Sequence, residues 1–193
     1  MNESSVINQK IENLESSKIP LEVRAYENCQ FINCDFSNTD LSNIHFIDCT
    51  FIGCNLSLAK LTDTLLRDII FKECKMLGLR FDTCAAYGIS CSFENCQLNL
   101  SSFYQVKIKK TLFINCQLQE IDFTECDMRG AIFDKCDMAK AKFEKTNLEK
   151  ADFRTAINFT IDPEKNRLKK ARFSSAGLPG LLYKYDIEID NAT

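Results

Sequence analysis

The stretch Cys29-Gln30-Phe31-Ile32-Asn33-Cys34-Asp35-Phe36, CQFINCDF, repeats itself after five residues: a cysteine, then a phenylalanine two positions later. Extended outward, the same spacing runs through most of the chain. Large apolar residues recur every fifth position at Phe31, Phe36, Leu41, Phe46, Phe51, Leu56, Leu61, Leu66, Phe71, Met76 and Phe81, with Ala86 next. After a step of seven the track resumes at Phe93 and continues through Phe103, Phe113, Phe123, Phe133 and Phe143 to Phe153. Thirteen of the fifteen phenylalanines lie on it. A helix requires an apolar period near 3.6 and a strand a period of two, so a sustained period of five is neither.

A second track runs two residues ahead of the first and holds mostly small residues, Cys, Ala, Thr and Ser, including all eleven cysteines, with Ile44, Ile69, Leu79, Val106 and Ile121 among them. The remaining positions are mostly polar. Every twentieth residue also agrees: Phe31, Phe51, Phe71, Phe93, Phe113, Phe133 and Phe153 form one column once the two extra residues after Ala86 are allowed. Cys34, Cys54, Cys74, Cys96, Cys116 and Cys136 form another. A twenty-residue order laid over a five-residue order marks an internally repeated, solenoid-type chain.

These residues resemble the pentapeptide-repeat family, whose unit centres on Leu or Phe with a small residue two positions earlier; CQFIN, CDFSN, TDLSN, CSFEN, IDFTE and ADFRT match it well. The resemblance implies an all-β repeat protein, a right-handed quadrilateral β-helix with short terminal caps and a short C-terminal helix. Residues 1–28 are expected to form an N-terminal cap and lead-in segment. The solenoid is expected over 29–156, and a terminal partial coil with a cap or dimerisation module over 157–193. About six coils at the parallel-strand spacing would build a rod near ~30 Å tall.

The interruption at Tyr87-Gly88 reads as a small bulge or tight protruding turn beside the small central residue Ala86. In the N-terminal segment, Ile7, Ile11 and Leu14 suggest a short amphipathic helix or irregular cap. After NFTIDPEKNR, Leu168, Phe173 and Leu178 regain the register. Pro179 then suits the first turn of a short helix, with Leu181, Leu182, Tyr183 and Tyr185 available to cap the rod or pair two rods. Resemblance to the family's quinolone-resistance members, Qnr and MfpA, implies a homodimer through this end.

Chemistry has little foothold. The cysteines form vertical ladders of parallel side chains, suited to packing rather than to converging on a metal ion or closing a disulfide. On this reading Cys34→Ser destabilises the fold by placing a hydroxyl in an apolar wall. The one histidine, His45, precedes inward Phe46 and faces out, with no nucleophile and base beside it. No cofactor, metal or catalytic residue is expected. The formal charge of −3 from 24 basic and 27 acidic residues names no partner. The absence of a signal segment or long apolar run points to a cytoplasmic protein. No direct nucleic-acid, membrane or small-molecule partner is expected.

The expected function is a noncatalytic protein-interaction scaffold for an unidentified cytosolic protein. The alternative, implied by the quinolone-resistance resemblance, is a DNA mimic that enters the DNA-binding surface of a type II topoisomerase, DNA gyrase or topoisomerase IV, and modulates its activity or quinolone susceptibility. Asp35, Asp40, Asp48, Asp63, Asp68, Glu73, Asp82 and Glu94 are the candidate acidic surface. Lys107, Lys109, Lys110, Lys135, Lys140, Lys142, Lys145 and Lys150 oppose it, and residues 29 to 156 carry 15 basic against 17 acidic side chains. A charge map in three dimensions decides between a segregated acidic face and a mixed one.

Overall fold

The computed structural model describes residues 5–16, 21, 25–85, 87 and 89–190. Its strands are β1 (Ser5–Ile7), β2 (Lys10–Glu12), β3 (Ala25–Glu27), β4 (Gln30–Ile32), β5 (His45–Ile47), β6 (Thr50–Ile52), β7 (Leu65–Arg67), β8 (Ile69–Lys72), β9 (Cys91–Glu94), β10 (Leu112–Ile114) and β11 (Ile132–Asp134). All pair in parallel, in two stacks. One stack, in the order β11-β10-β9-β8-β6-β4-β2, forms side one of a four-sided rod. The other, β1-β3-β5-β7, forms side four. Sides two and three are stacked by single bridges such as Asp35↔Asn55 and Asp40↔Lys60.

Aromatic stacking makes the interior. On side one Phe31, Phe51, Phe71, Phe93, Phe113, Phe133, Phe153 and Phe173 lie ring over ring at 4.7 to 5.4 Å. Phe81, Phe103, Phe123 and Phe143 form a second stack on side three. The stacks meet edge to face, with Phe93 against Phe103 at 87°, the arrangement that ring quadrupoles favour. Each coil therefore buries its central residues against the coils above and below, and its backbone groups pair along the rod axis.

Each side turns into the next through a residue in left-handed backbone geometry, two positions after the central residue. Asn28, Asn33, Asn38, Asn43 and Asp48 do this with φ between 50° and 61°, residue types that tolerate the region. Gly53 takes the same corner state at φ 63°, and a Cβ there would displace the Asn33 side-chain amide. In later coils lysine takes the corners: Lys110, Lys135, Lys140, Lys145 and Lys150.

The N-terminal segment departs from the sequence expectation. In place of the short amphipathic helix or irregular cap expected over Ile7, Ile11 and Leu14, β1 and β2 lie there, with Val6 paired to Tyr26 and Ile11 to Phe31. Val6 and Ile11 occupy the five-residue register, and Asn8 and Asn13 hold left-handed corners. Coil pairing thus begins inside segment 1–28. The helix-like spacing was incidental: Leu14 continues the Cys34 column, and Ile7 points outward.

At the other end, Leu168 and Phe173 regain the register, with Phe173 parallel to Phe153 at 5.3 Å. Leu178 does not join the core. The excursion before them closes on buried Asn166, whose Nδ2 donates to the carbonyls of Phe143 and Asp162 and whose Oδ1 accepts from Thr146 N–H. A 3-10 turn (Ser175–Gly177), helix α1 (Pro179–Leu182) and a second 3-10 turn (Tyr183–Tyr185) complete the end.

Candidate functional site

The inner wall consists of donors as well as packing surface. Cys54, Cys74, Cys96, Cys116 and Cys136 each point Sγ at the carbonyl of a central phenylalanine one coil earlier, at 3.3 to 3.5 Å. Thr64, Ser101 and Thr146 make the same contact with hydroxyls, at 2.7 to 2.8 Å. An acceptor therefore waits at these positions. This corrects the sequence expectation for Cys34→Ser: Cys34 Sγ already faces the Ile11 and Ile32 carbonyls at 3.5 Å, so a hydroxyl there finds partners. Burial pushes the Cys49 thiol up to about 11 and Cys84 up to about 12, which keeps them protonated and poor nucleophiles. Among the described residues no group of His, Cys, Asp and Glu is arranged to hold a metal ion.

The acidic candidates do not share one side. Asp35 projects from side two, Asp40 and Asp82 from side three, and Glu94 from side one, as their coil registers require. Asp48 and Asp68 lie one coil apart on the corner leaving side four, Asp63 on the corner entering it, and Glu73 on the corner leaving side one. Several serve the turns or ion pairs. Asp35 and Asp40 accept the backbone N–H groups of Ser37 and Ser42. Asp40 also pairs with Lys60 at 3.1 Å, and its carboxyl is held down at about 2, chiefly by the hydrogen bond at Ser42. Asp82 pairs with Arg80, and Glu94 with Lys72 at 3.1 Å. His45 is exposed on β5.

Two outer surfaces escaped the sequence reading. On side one, Ile70, Leu112, Ile114 and Ile132 are 36 to 41% exposed, beside half-buried Ile32 and Ile52. On side four the charges separate along the rod: Glu27, Asp48 and Asp68 with Arg67 on the N-terminal coils, then a run of lysine and arginine on the C-terminal coils. The lysines were visible in sequence as a diluting background. Only the twenty-residue register assigns them to a side.

A family model for the pentapeptide repeat region matches residues 25–88 and 89–158. The chain belongs to the pentapeptide-repeat family. Its fold is that of noncatalytic binding solenoids. No curated protein matches this sequence. Among solved structures, this pentapeptide-repeat protein is similar over 95% of its length to full-length QnrB1, a plasmid-mediated fluoroquinolone resistance protein. That match covers 100% of the QnrB1 chain at 20% identity and a TM-score of 0.49. HetL, a pentapeptide-repeat protein involved in heterocyst differentiation regulation in the cyanobacterium Nostoc, matches over 91% of this chain and 86% of its own. Its identity is 14% and its TM-score 0.38.

The two matched stretches of the pentapeptide-repeat protein meet at the insertion. There Tyr87 is 92% exposed, while Gly88 lies outside the described residues. The seven-stranded side crosses this point with β8 paired to β9, whereas the side-four sheet stops at β7. The resulting groove, about 800 Å³, is lined by Tyr87, Ile89, Tyr104 and Lys107 among others.

At the C-terminus Leu181 and Leu182 are half-buried, and Tyr183 and Tyr185 exposed. Gly177 and Gly180 press on Phe159, and Ile161 N–H donates to the Gly180 carbonyl at 2.9 Å. Lys184 Nζ reaches Asp162 at 2.8 Å and Glu164 at 2.7 Å, while Tyr185 donates to Glu164 at 3.1 Å. The segment is thus fastened to the excursion, a link between distant residues that no local pattern announces. Among the described residues no helix is long and apolar enough to cross a membrane.

Proposed function

We propose that this pentapeptide-repeat protein is a noncatalytic protein-binding rod that presents the aliphatic patches of side one to a protein partner. The observation that carries this reading is the patches themselves. Ile70, Leu112, Ile114 and Ile132 face outward on a rigid parallel sheet whose opposite face is filled by stacked phenylalanines. Leu112, Ile114 and Ile132 form one outward apolar patch, and Ile70 with Ile32 and Ile52 a second, separated by Ser92 and the Lys72–Glu94 ion pair. Apolar patches on a preorganised surface are suited to association, because little ordering accompanies binding. The test is affinity capture from native extract with the wild type and an Ile70→Glu/Leu112→Glu/Ile132→Glu variant. A partner held by the wild type and released by the variant, at unchanged circular dichroism, supports the reading. Identical capture by both contradicts it.

A second reading, a DNA mimic acting on DNA gyrase or topoisomerase IV, is favoured by the acidic N-terminal coils. Glu27, Asp48 and Asp68 on side four, with Asp63 at the adjoining corner, have Arg67 as the cation among them. The mimicking surface is then confined to those coils, since the same side turns basic beyond the insertion. Gyrase supercoiling and drug-induced cleavage assays test it; no association and no change in either activity would remove it. Pairing of two rods through the C-terminal end is also proposed. It is supported by exposed Leu178, Tyr183, Tyr185, Ile187 and Ile189. Light scattering should give a dimer for the intact chain and a monomer for a chain ending at Ala176. An intact monomer removes the proposal.

A further inference from the structure

On side four, from the coil after the insertion onward, three outward columns carry eight exposed cations: Lys107, Lys109, Lys110, Arg129, Lys150, Arg167, Lys169 and Lys170. Stacking is direct: Lys107 bridges Asp127, which leads through Asn147 to Arg167, and Lys110 N–H donates to the Arg129 carbonyl, as Lys150 N–H does to that of Lys169. Asp127 and Glu149 are the acidic residues on this surface. Asp127 is already engaged by Arg129 at 2.8 Å and Lys109 at 3.5 Å. Lys107, Lys110, Lys150, Arg167, Lys169 and Lys170 make no ion pair among the described residues. The small net charge of the whole chain therefore conceals a cationic strip spanning three coil steps, ~15 Å.

The strip ends at the groove opened by the insertion. A second hollow, about 430 Å³, brings Lys107, Lys109 and Lys110 together with Ser90 and Thr111. Beside it Tyr87 stands 92% exposed and Tyr104 41% exposed. Cations that track a backbone and open aromatic faces at one end are the two elements of single-strand recognition, in which phosphates meet lysine and bases stack on rings. A duplex keeps its bases stacked inside and would leave the tyrosines unused.

We propose that the C-terminal half of side four, with the insertion groove, binds single-stranded nucleic acid. This goes beyond the protein-binding reading and uses a different side of the rod. The phosphate backbone lies along the lysine columns, and a base stacks on Tyr87.

The test is fluorescence anisotropy of a labelled twenty-nucleotide thymidine strand with the full chain. Saturable binding is expected, weakening roughly a hundredfold between 50 and 200 mM salt for about five phosphate contacts. Lys107→Glu/Lys109→Glu/Lys110→Glu should lose at least tenfold in affinity, and Tyr87→Ala should lose about fivefold or more. A control on other sides, Lys135→Glu/Lys140→Glu/Lys142→Glu, should lose no more than about threefold. All variants should keep the wild-type circular dichroism; if the triple glutamate variant does not, Lys109→Gln/Lys110→Gln replaces it, with several-fold weakening expected. No binding at 50 mM salt overturns the proposal, as does equal weakening by the control. Duplex bound as tightly as the single strand, with Tyr87→Ala silent, overturns the single-strand assignment. So does preference for phosphatidylserine vesicles, or self-association abolished by the Lys107, Lys109 and Lys110 changes.

Discussion

Cysteine on the small track acts as a weak donor as well as a filler, and serine and threonine do the same work elsewhere on that track. Cys74→Ser is therefore expected to change stability by less than about 1 kcal/mol, measured as a shift in urea unfolding. Cys74→Leu overpacks the same site and should cost about 1–3 kcal/mol. Comparable losses from both would contradict the donor assignment. The corners give an opposite sign. Lys140 adopts φ 58°, a geometry costing an L side chain roughly 1–2 kcal/mol, of which glycine's own backbone entropy returns part. Lys140→Gly should thus stabilise by about 0.5–1 kcal/mol, and a destabilised variant would show that the lysine makes a compensating contact. The central and small tracks were legible because every coil repeats them. Corner geometry was hidden, since Asn, Asp, Glu, Lys and Gly in turn occupy one backbone state.

The C-terminal element depends on close approach and on a carboxylate pair. Gly180→Ala would drive a methyl group into the Phe159 carbonyl, and should loosen the end by about 1–3 kcal/mol. Hydrogen exchange at residues 178–186 would report it, and unchanged protection would contradict the packing described. Lys184 holds the carboxyls of Asp162 and Glu164 below the ordinary range. Groups depressed on folding contribute above their unfolded values and lose that contribution as pH falls through the folded ones. The fastening should accordingly be complete at neutral pH, begin to weaken as pH falls below about 4, and be lost only beneath the depressed folded values. Protection of residues 178–186 that does not decline at any pH between 7 and 2 would be inconsistent with it. The helix at Pro179 was legible from proline and the apolar residues after it. The link from Lys184 to Asp162 was not, because it joins an irregular excursion to the chain end. At the other end, reading Ile7, Ile11 and Leu14 as a short helix or irregular cap went astray because three apolar residues fit two periods. Extending the five-residue register upstream to Val6 and Ile11 would have found the coil.

For the whole molecule, regular stacking makes the interior continuous, so one defect is felt by the coils on both sides. Phe113→Ala, which removes a ring lying between Phe93 and Phe133 at 4.9 and 5.2 Å, should cost about 3–5 kcal/mol. The fold was readable from sequence because its order is periodic. The surfaces were not, since which side an outward lysine or isoleucine faces depends on counting twenty residues through a two-residue insertion. Function is thereby assigned to outward positions, and every inward cysteine to the wall. Timed alkylation followed by mass spectrometry tests that division most directly. All eleven thiols should resist iodoacetamide at pH 8 in the native rod and react together once it is unfolded in denaturant. Rapid native modification of any subset would contradict the account by revealing thiols poised for chemistry.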